Sequence, residues 1–340
     1  MEAARRDSAE GQVIGWGFIG ASTWAGRHLI PAVRSVPGCC AVGVFSSSPE
    51  RGARFAADAE LPRSYATLDD LLADPEIEAV YVSTTNELHA EQTIAAARAG
   101  KHVLCEKPIA TGLADARRML EECEVAGVVL AVNHAFRGAP ANVAMREAIA
   151  SGAIGEVVAA RVFHATSLPE ELRTWRLQRP DAGAGVVLDL TVHDVDTIRF
   201  LLDDEVEETV AIEANQGLAA PGVADSAMTA VRMRGGQLVS FHDAFTVPFA
   251  GTGIEVHGTQ GSLFCREALN VESIATVTLR DADGERRLEV DQILSLYARA
   301  VERFVGAVRN GSRPLATGAD GLASLEVALA VAAGTRKGLS

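Results

Sequence analysis

The sequence predicts an α/β chain in two parts: a doubly wound parallel sheet, then an α+β part built on a large, mainly antiparallel open sheet. Three observations carry this. Short apolar runs alternate with helical patterns through the first third of the chain. A glycine turn joins the first apolar run to the first helix. Past about residue 135 the apolar period shortens to two. Strands separated by helices make βαβ units and a parallel sheet covered on both faces, whereas period-two alternation marks a sheet with one buried face.

In order, Val13–Ile19 reads as a strand and Trp24–Val36 as a helix with Pro37 and Gly38 after it. Strand Cys40–Phe45, helix Glu50–Ala57, short helix Leu68–Ala73 and strand Ala79–Ser83 follow. Helix Ala90–Ala99 stops at Gly100. Strand His102–Cys105, helix Leu113–Ala126 ending at Gly127, and strand Val128–Val132 close the series. Residues 12–134 are expected to form a Rossmann dinucleotide-binding domain after a flexible tail, 1–11, and residues 135–340 an α+β substrate and catalytic domain.

In that second part, helix Ala141–Ile149 precedes longer strands. Ala227, Thr229, Val231 and Met233 share one face of "SAMTAVRMRG", and Val239, Phe241, Phe245 and Val247 share one face of "QLVSFHDAFTV". The opposite face carries Arg161, Arg232, Ser240 and His242 and reads as wet, which favours a monomer or a weak homo-oligomer. Helical segments Ile293–Val308 and Gly321–Ala333 end the chain.

The 340 residues are 48% apolar, enough for a core without a disulfide or metal staple. A net charge of -14 argues against a nucleic-acid footprint or an anionic-membrane anchor, while leaving room for a local basic pocket that grips a phosphate. Five cysteines without a C-x-x-C pattern read as reduced thiols of a cytoplasmic protein. The start "MEAARRDSAEG" has no apolar core of a secretory signal, and no apolar run approaches a membrane span.

The stretch "QVIGWGFIGASTWAGRHLIPAV" offers two frames for a phosphate turn. Gly15-x-Gly17-x-x-Gly20 spells a dinucleotide fingerprint in full, but would cut the strand to three residues and leave Phe18 and Ile19 in a polar turn. Starting at Gly20, the strand keeps its apolar residues and the helix opens near Thr23. A fingerprint must follow a strand and open a helix, so the second frame is preferred. Gly20 makes the tight turn, Ser22 brings a hydroxyl that can bond a phosphate, and Ala25 takes the packing position. Gly20, Ala21, Ser22, Thr23 and Trp24 are then expected around the pyrophosphate, beside the amide donors of the helix start. Gly15 and Gly17 become strand glycines that admit a close neighbour.

The second strand ends Phe45-Ser46-Ser47-Ser48-Pro49-Glu50-Arg51. NAD sites usually place an acid there, against the ribose hydroxyls. Here Ser46 stands in its place and Arg51 follows one helical turn on. Lost negative charge plus a guanidinium suits a 2'-phosphate, so Ser46, Ser47 and Arg51 point to NADP(H). A solvated arginine at a helix start is the plain alternative.

Two further stretches carry chemistry: "VYVSTTNELHAEQTIAAARAGKHVLCEKPIA" and "GAGVVLDLTVHDVDTIRFLL". Glu106-Lys107-Pro108, with Asp-x-x-x-His downstream at Asp189 and His193, resembles the glucose-fructose oxidoreductase / inositol dehydrogenase / rhizopine-catabolism (Gfo/Idh/MocA) family over nearly the whole chain. Within it, "GASTWA", "STTNELH", "ARVFHA", "WRLQRP", "LDLTVHDVDT" and "HDAFT" are most similar to a bacterial sugar-ketone reductase that uses NADPH.

Lys107 follows a strand at the carboxyl end of the parallel sheet, where it can polarise a carbonyl and stabilise an alkoxide. Asp189 and His193, at i and i+4, share a helix face. A carboxylate beside an imidazole orients it and favours the imidazolium, a proton donor. The resemblance implies that Lys107, Asp189 and His193 form the catalytic group, with Lys107 or His193 giving the proton and Asp189 holding a substrate hydroxyl. It also implies a cis bond before Pro108.

By the same resemblance, Ser83, Thr84, Thr85, Asn86, Glu87 and Leu88 run along the nicotinamide half of the cofactor, with His89 as a structural residue. Glu106 touches the cofactor through its backbone, and Asn133 and His134 face the cleft. Trp175 and Arg176 cover nicotinamide or sugar. Tyr297 either reaches the cofactor or packs in the core. His134 and Arg176 join Lys107, Asp189 and His193 as substrate contacts. The family's usual double glycine is Ala184-Gly185 here.

The expected activity is NADPH-dependent reduction of a sugar ketone. The alternatives are another sugar, inositol or dihydrodiol dehydrogenase, or a non-catalytic NADP-binding sugar sensor. A metal site built from His134, His164, His193, His242 and Asp243 lacks an H-x-x-x-H or H-E-x-x-H pair, and no metal is expected.

Overall fold

The computed structural model describes residues 13–271, 275–290, 295–334 and 337–338. The expected tail, 1–11, and the expected helix start at Ile293 lie outside them. The chain divides into two compact units: the described residues of Met1–Ala135 with Leu294–Leu322, and those of Phe136–Ile293 with Ala323–Ser340. The sequence places all of 135–340 in one domain, whereas the segment ending at Leu322 groups with the first unit.

The first unit holds a six-stranded sheet in the order β3-β2-β1-β4-β5-β6. The strands are β1 (Ile14–Ile19), β2 (Cys39–Phe45), β3 (Arg63–Tyr65), β4 (Ala79–Val82), β5 (His102–Cys105) and β6 (Leu130–Val132). Every pairing is parallel. The order reverses between β1 and β4, where open α/β sheets bind ligands beyond the carboxyl ends of their strands.

Local chemistry fixes the helices between the strands. Ser48 caps helix Pro49–Asp58 by accepting from the Arg51 amide, with Pro49 in the first turn. Thr67 and Asp70 form a reciprocal capping box on Leu68–Ala73. Gly127, at φ 67°, ends Leu113–Ala126.

Both faces of β1 are covered, which explains two departures from plain alternation. Gly15 and Gly17 lie within the strand, and a Cβ on Gly15 would stand 1.8 Å from the Glu76 carbonyl oxygen. Trp16 needs a cover of its own and finds it in Phe304, on helix Leu296–Asn310, with ring centroids 5.1 Å apart. The late segment also meets the sheet: the Val132 amide donates to the Ala316 carbonyl at 3.1 Å.

The second unit holds a nine-stranded sheet, order β14-β13-β12-β11-β7-β10-β9-β8-β15. Its strands are β7 (Val157–Ala165), β8 (Val206–Ala214), β9 (Ser226–Met233), β10 (Leu238–Ala244), β11 (Thr252–Gly258), β12 (Gly261–Arg266), β13 (Thr276–Asp281), β14 (Gly284–Arg287) and β15 (Lys337–Gly338). Its pairings are antiparallel, save β7 with β10. The inward residues of β9 and β10 are those the alternation selects: Ala227, Thr229, Val231, Met233, Val239 and Phe241 are all buried. Val162, Ile254, Leu263 and Leu279 extend this core under Met145 and Ile198 of helices Pro140–Ala150 and Val192–Leu202.

The outer face corrects an expectation. Its polar residues are present, but Arg161 is paired with Glu255 and Arg232 with Glu207 and Glu208. Beyond Arg161, on the side away from Arg232, runs a cross-strand row, Ile212, Met228, His242, Phe163, Gly253, in which Ile212 is 76% and Met228 55% exposed. A hollow of about 660 Å³ lies over this face, lined by Phe163, Ile212, Met228, His242 and Gly253 among others. The face is mixed rather than polar, and it no longer argues for a monomer.

Candidate active site

In the first unit, the turn after β1 opens at Gly20, whose φ of 108° is a region L side chains rarely adopt. A Cβ there would sit 3.1 Å from the Ser83 carbonyl group, so the turn lies directly against the end of β4. Ser22 caps the following helix: its hydroxyl oxygen accepts from the Ala25 amide at 3.0 Å and its carbonyl from the Gly26 amide at 3.1 Å. The hydroxyl itself donates to Ser83 at 2.9 Å. Ser22 thus orders the turn, and the donors aimed past it are the backbone amides of the first helical turn, over Ala21, Thr23 and Trp24.

That helix begins with a π turn, Ala25–Leu29, before regular Ile30–Ser35. Trp24 meets the ring of Tyr297 edge-on at 6.1 Å, and His28 stacks on Tyr297 at 5.1 Å. Tyr297 is 5% exposed. The tyrosine is therefore packed in the core of this unit, against the turn and helix that follow Gly20.

At the end of β2, Ser46 is buried. Arg51 Nε donates to its hydroxyl at 3.0 Å, and a terminal nitrogen of Arg51 reaches the Ser47 hydroxyl at 3.4 Å. The guanidinium is laid across the end of β2, where an NAD site carries its acid.

Beyond β4, Ser83 and Asn86 are buried while Thr84, Thr85, Glu87 and Leu88 are half-buried. A short 3-10 turn, Asn86–Leu88, feeds helix His89–Arg98. The Thr84 hydroxyl donates to Gln92 at 2.7 Å. His89 is fully buried, its Nδ1 2.9 Å from the Pro108 carbonyl and its Nε2 3.3 Å from that of Thr84. It ties the loop after β4 to the turn after β5, the structural role expected of it. Burial holds its imidazole below the usual range, hence neutral, with a single N–H. The shorter contact, to Pro108, takes that proton.

The Lys107-Pro108 bond is cis. Lys107 is half-buried just past the end of β5. Beside it the Glu106 carboxylate accepts from the Tyr81 hydroxyl, from Asn133 Nδ2 at 2.6 Å and from the Lys107 amide at 3.3 Å. Sequence reading missed this side-chain role of Glu106. Asn133 is 4% exposed and His134, its neighbour, 1%, so both are more enclosed than cleft-facing residues were expected to be.

A dinucleotide fits these residues. Among the described residues, Asn133 Oδ1 is a buried acceptor without a hydrogen-bond donor beyond the carboxyl ends of the strands. Because Asn133 Nδ2 faces a carboxylate, the assignment of oxygen and nitrogen is fixed by chemistry. The Asn133 acceptor can take an N–H of a carboxamide, the group a nicotinamide carries.

In the second unit, Asp189 lies in a π turn, Val187–Thr191, that runs into helix Val192–Leu202, where His193 sits. From 185 to 199, Asp189 and His193 are half-buried and every other residue is buried. A segment enclosed on all sides thus opens at two polar side chains. Asp189 pairs with Arg176, Nε to Oδ2 at 3.5 Å, and the Arg176 guanidinium lies 4.7 Å from the Trp175 ring. His193 stands edge-on to Phe136 at 5.0 Å. Gly185, at φ 111°, makes the bend before the segment, while Ala184 is accommodated beside it. Nothing in the sequence pattern signals either π turn, although such insertions recur at functional sites.

Comparison with known proteins adds a separate line of argument. Residues 14–134 match the oxidoreductase family with an NAD-binding Rossmann fold, and residues 142–264 match the GFO/IDH/MocA C-terminal domain. A 1,5-anhydro-D-fructose reductase from Ensifer adhaerens is 52% identical over 316 residues, covering 93% of this chain and 94% of its own. A myo-inositol 2-dehydrogenase from Thermotoga maritima is 30% identical, covering 77% of this chain and 79% of its own. Among solved structures, the aldose-aldose oxidoreductase from Caulobacter crescentus aligns with a TM-score of 0.89 at 24% identity, over 96% of this chain and 100% of that one. A levoglucosan dehydrogenase in complex with NADH and levoglucosan aligns with a TM-score of 0.85 at 24% identity, over 95% and 97%. At that identity the two structures speak for the fold alone. With both parts matched in order along one chain, and a full-length relative at more than half identity, this protein belongs to the Gfo/Idh/MocA family of oxidoreductases.

Proposed function

We propose that the protein is a cytoplasmic NADPH-dependent reductase of a sugar ketone, converting 1,5-anhydro-D-fructose to 1,5-anhydro-D-mannitol. The observation that carries this is the 52% identity, along nearly the whole of both chains, with a protein named as a 1,5-anhydro-D-fructose reductase. The choice of NADPH rests on Arg51, held by Ser46 and Ser47 where a 2'-phosphate would meet the end of β2.

The nicotinamide, when bound, supplies the hydride that goes to the carbonyl carbon. Gly20 to Trp24 hold the pyrophosphate by backbone amides. Asn133 Oδ1 would accept from the carboxamide and so help to hold the nicotinamide. Lys107 donates to the ketone oxygen and stabilises the negative charge that grows there. The proton that completes the alcohol comes from Lys107 or from His193. Asp189, paired with Arg176, accepts from a substrate hydroxyl and so fixes which carbon is presented.

The test follows NADPH oxidation at neutral pH with 1,5-anhydrofructose, beside NADH and a panel of sugar ketones, aldoses and inositols. Turnover is expected with anhydrofructose and NADPH. Turnover with an inositol or another sugar alone would replace the substrate and keep the chemistry. NADPH binding without any turnover would replace the enzyme by a sensor.

A further inference from the structure

Beneath the segment that carries Asp189 and His193 lies a second pair of acids. Asp194, next to His193, and Asp243, on β10, are both fully buried. The parallel register of β7 and β10 sets Asp243 beside His164, with both side chains turned inward. His164 Nδ1 lies 2.8 Å from Asp194 Oδ1, and the hydroxyl of Thr191, the last residue of the π turn, donates to Asp243 Oδ2. The remaining oxygens, Asp194 Oδ2 and Asp243 Oδ1, are buried and have no donor among the other described residues. The two carboxyl groups are instead within hydrogen-bond contact of each other.

Two ionised carboxylates cannot rest in that contact in a dry interior. One proton resolves the arrangement completely. With it on Asp243 Oδ1, Thr191 donates to Asp243, Asp243 to Asp194, and His164 to the other oxygen of Asp194. All four carboxyl oxygens are then partnered, and a single charge remains, on the carboxylate that faces an imidazole.

We propose that Asp194 and Asp243 hold one proton between them, carried by Asp243, and that this locked pair is the positioning element of the segment bearing Asp189 and His193. It rests on the proposed function only for what that segment does. Thr191 is two residues from Asp189, and Asp194 is adjacent to His193, so the pair pins the π turn and the first helical turn to β7 and β10 from below. Position, not contact with substrate, is its contribution.

The electrostatics agree. Burial, then the neighbouring Asp194 carboxylate, push the Asp243 carboxyl well above its usual range. Burial raises Asp194 to about 7, and its bond to Asp243 opposes that. His164 from β7 faces the pair, and the ring of His193 from the helix lies 6.5 Å from that of His164. Asp196, on the same helix, is turned to Arg137 and Ser324.

The test compares Asp243→Asn with Asp243→Leu in the full-length protein. The asparagine amide keeps a donor toward Asp194, so kcat should stay within about three-fold of the parent, while leucine should lower kcat by about a hundred-fold with KM little changed. On the alkaline side the parent should lose kcat as Asp243 ionises and the pair repels, and Asp243→Asn should not. Infrared spectra at neutral pH should show a protonated-carboxyl band that Asp243→Asn removes. Absence of that band, or equal losses of kcat in the two variants, would overturn the proposal. If Asp243→Leu does not fold, the band and the alkaline limb of Asp243→Asn decide. If the parent reduces no sugar, the ring-proton resonances of His193 take the place of kcat: displaced by leucine and unmoved by asparagine if the pair positions the segment, and alike in both if it does not.

Discussion

Arg51 Nε donates to the hydroxyl of Ser46 across 3.0 Å, so the guanidinium is held over the end of β2 by a serine that stands where an NAD enzyme carries an acid. Two changes that would each be weak alone act together here. The serine removes the repulsion a carboxylate would exert on a phosphate, and it fixes the arginine that attracts one. Arg51→Ala should weaken NADPH binding by about ten- to a hundred-fold, the worth of charge-assisted hydrogen bonds at a partly exposed site. NADH binding should change little. Titration of both nucleotides by fluorescence reads this directly, and equal losses for the two would remove Arg51 from cofactor choice.

The two readings of the glycine stretch make opposite predictions. Gly15→Ala places a Cβ 1.8 Å from the Glu76 carbonyl oxygen, a backbone atom that cannot step aside alone. Gly20→Ala places one 3.1 Å from the Ser83 carbonyl, at a φ of 108°. The first should lower the melting temperature more. The second should cost about 1–3 kcal/mol in backbone strain and, in the folded protein, raise the NADPH Kd by shifting the amides of the turn. Thermal melts and nucleotide titrations on the two variants separate packing from binding. A raised Kd for Gly15→Ala, with Gly20→Ala unaffected, would restore the full-looking fingerprint as the phosphate turn.

That stretch also shows what the sequence could tell. Apolar count along β1 is enough to carry the strand to Ile19, because a strand with both faces covered favours an apolar run. The same logic found the inward rows of β9 and β10. It missed β3, Arg63–Tyr65, because an edge strand of three residues pairs only with β2 and needs no apolar pattern. It placed Asp189 and His193 on one element, yet gave no sign of the π turn beneath Asp189. It weighed Asp243 only as a metal ligand and gave no sign of its contact with Asp194, since that contact depends on the register of β7 against β10, and no residue-by-residue pattern encodes register between strands more than seventy positions apart.

His89 offers a prediction in pH. Its folded form is neutral because burial disfavours the imidazolium, whereas the unfolded chain titrates near the ordinary value of about 6.5. The unfolded state therefore binds more protons below that value, and stability falls as pH drops through it toward the depressed folded value. His102 and His242 are shifted the same way by burial, so the slope must be read as a difference. His89→Gln keeps a donor for the Pro108 carbonyl and removes the titration. Melting temperatures of the parent should fall more steeply than those of the variant between about pH 6.5 and 5. Parallel curves would mean that His89 is protonated in the fold, holding both carbonyls at once.

Lys107 is the group on which the proposed chemistry turns. It is half-buried past the end of β5, with its amide bonded to the Glu106 carboxylate. A cation at that strand end gains interaction as the ketone oxygen acquires charge, and gains little from the uncharged ketone. Lys107→Met keeps most of the side chain's length and loses the charge. It should therefore lower kcat by about a hundred- to a thousand-fold, as loss of an electrophilic donor does elsewhere, while KM moves little. Because the phosphate contacts proposed for the nucleotide are at Gly20 and Arg51, NADPH affinity should stay near that of the parent. Steady-state kinetics and nucleotide titration on one preparation make both measurements. Retained turnover would take the lysine out of the reaction; joint loss of turnover and NADPH binding would make it a residue that shapes the nucleotide site.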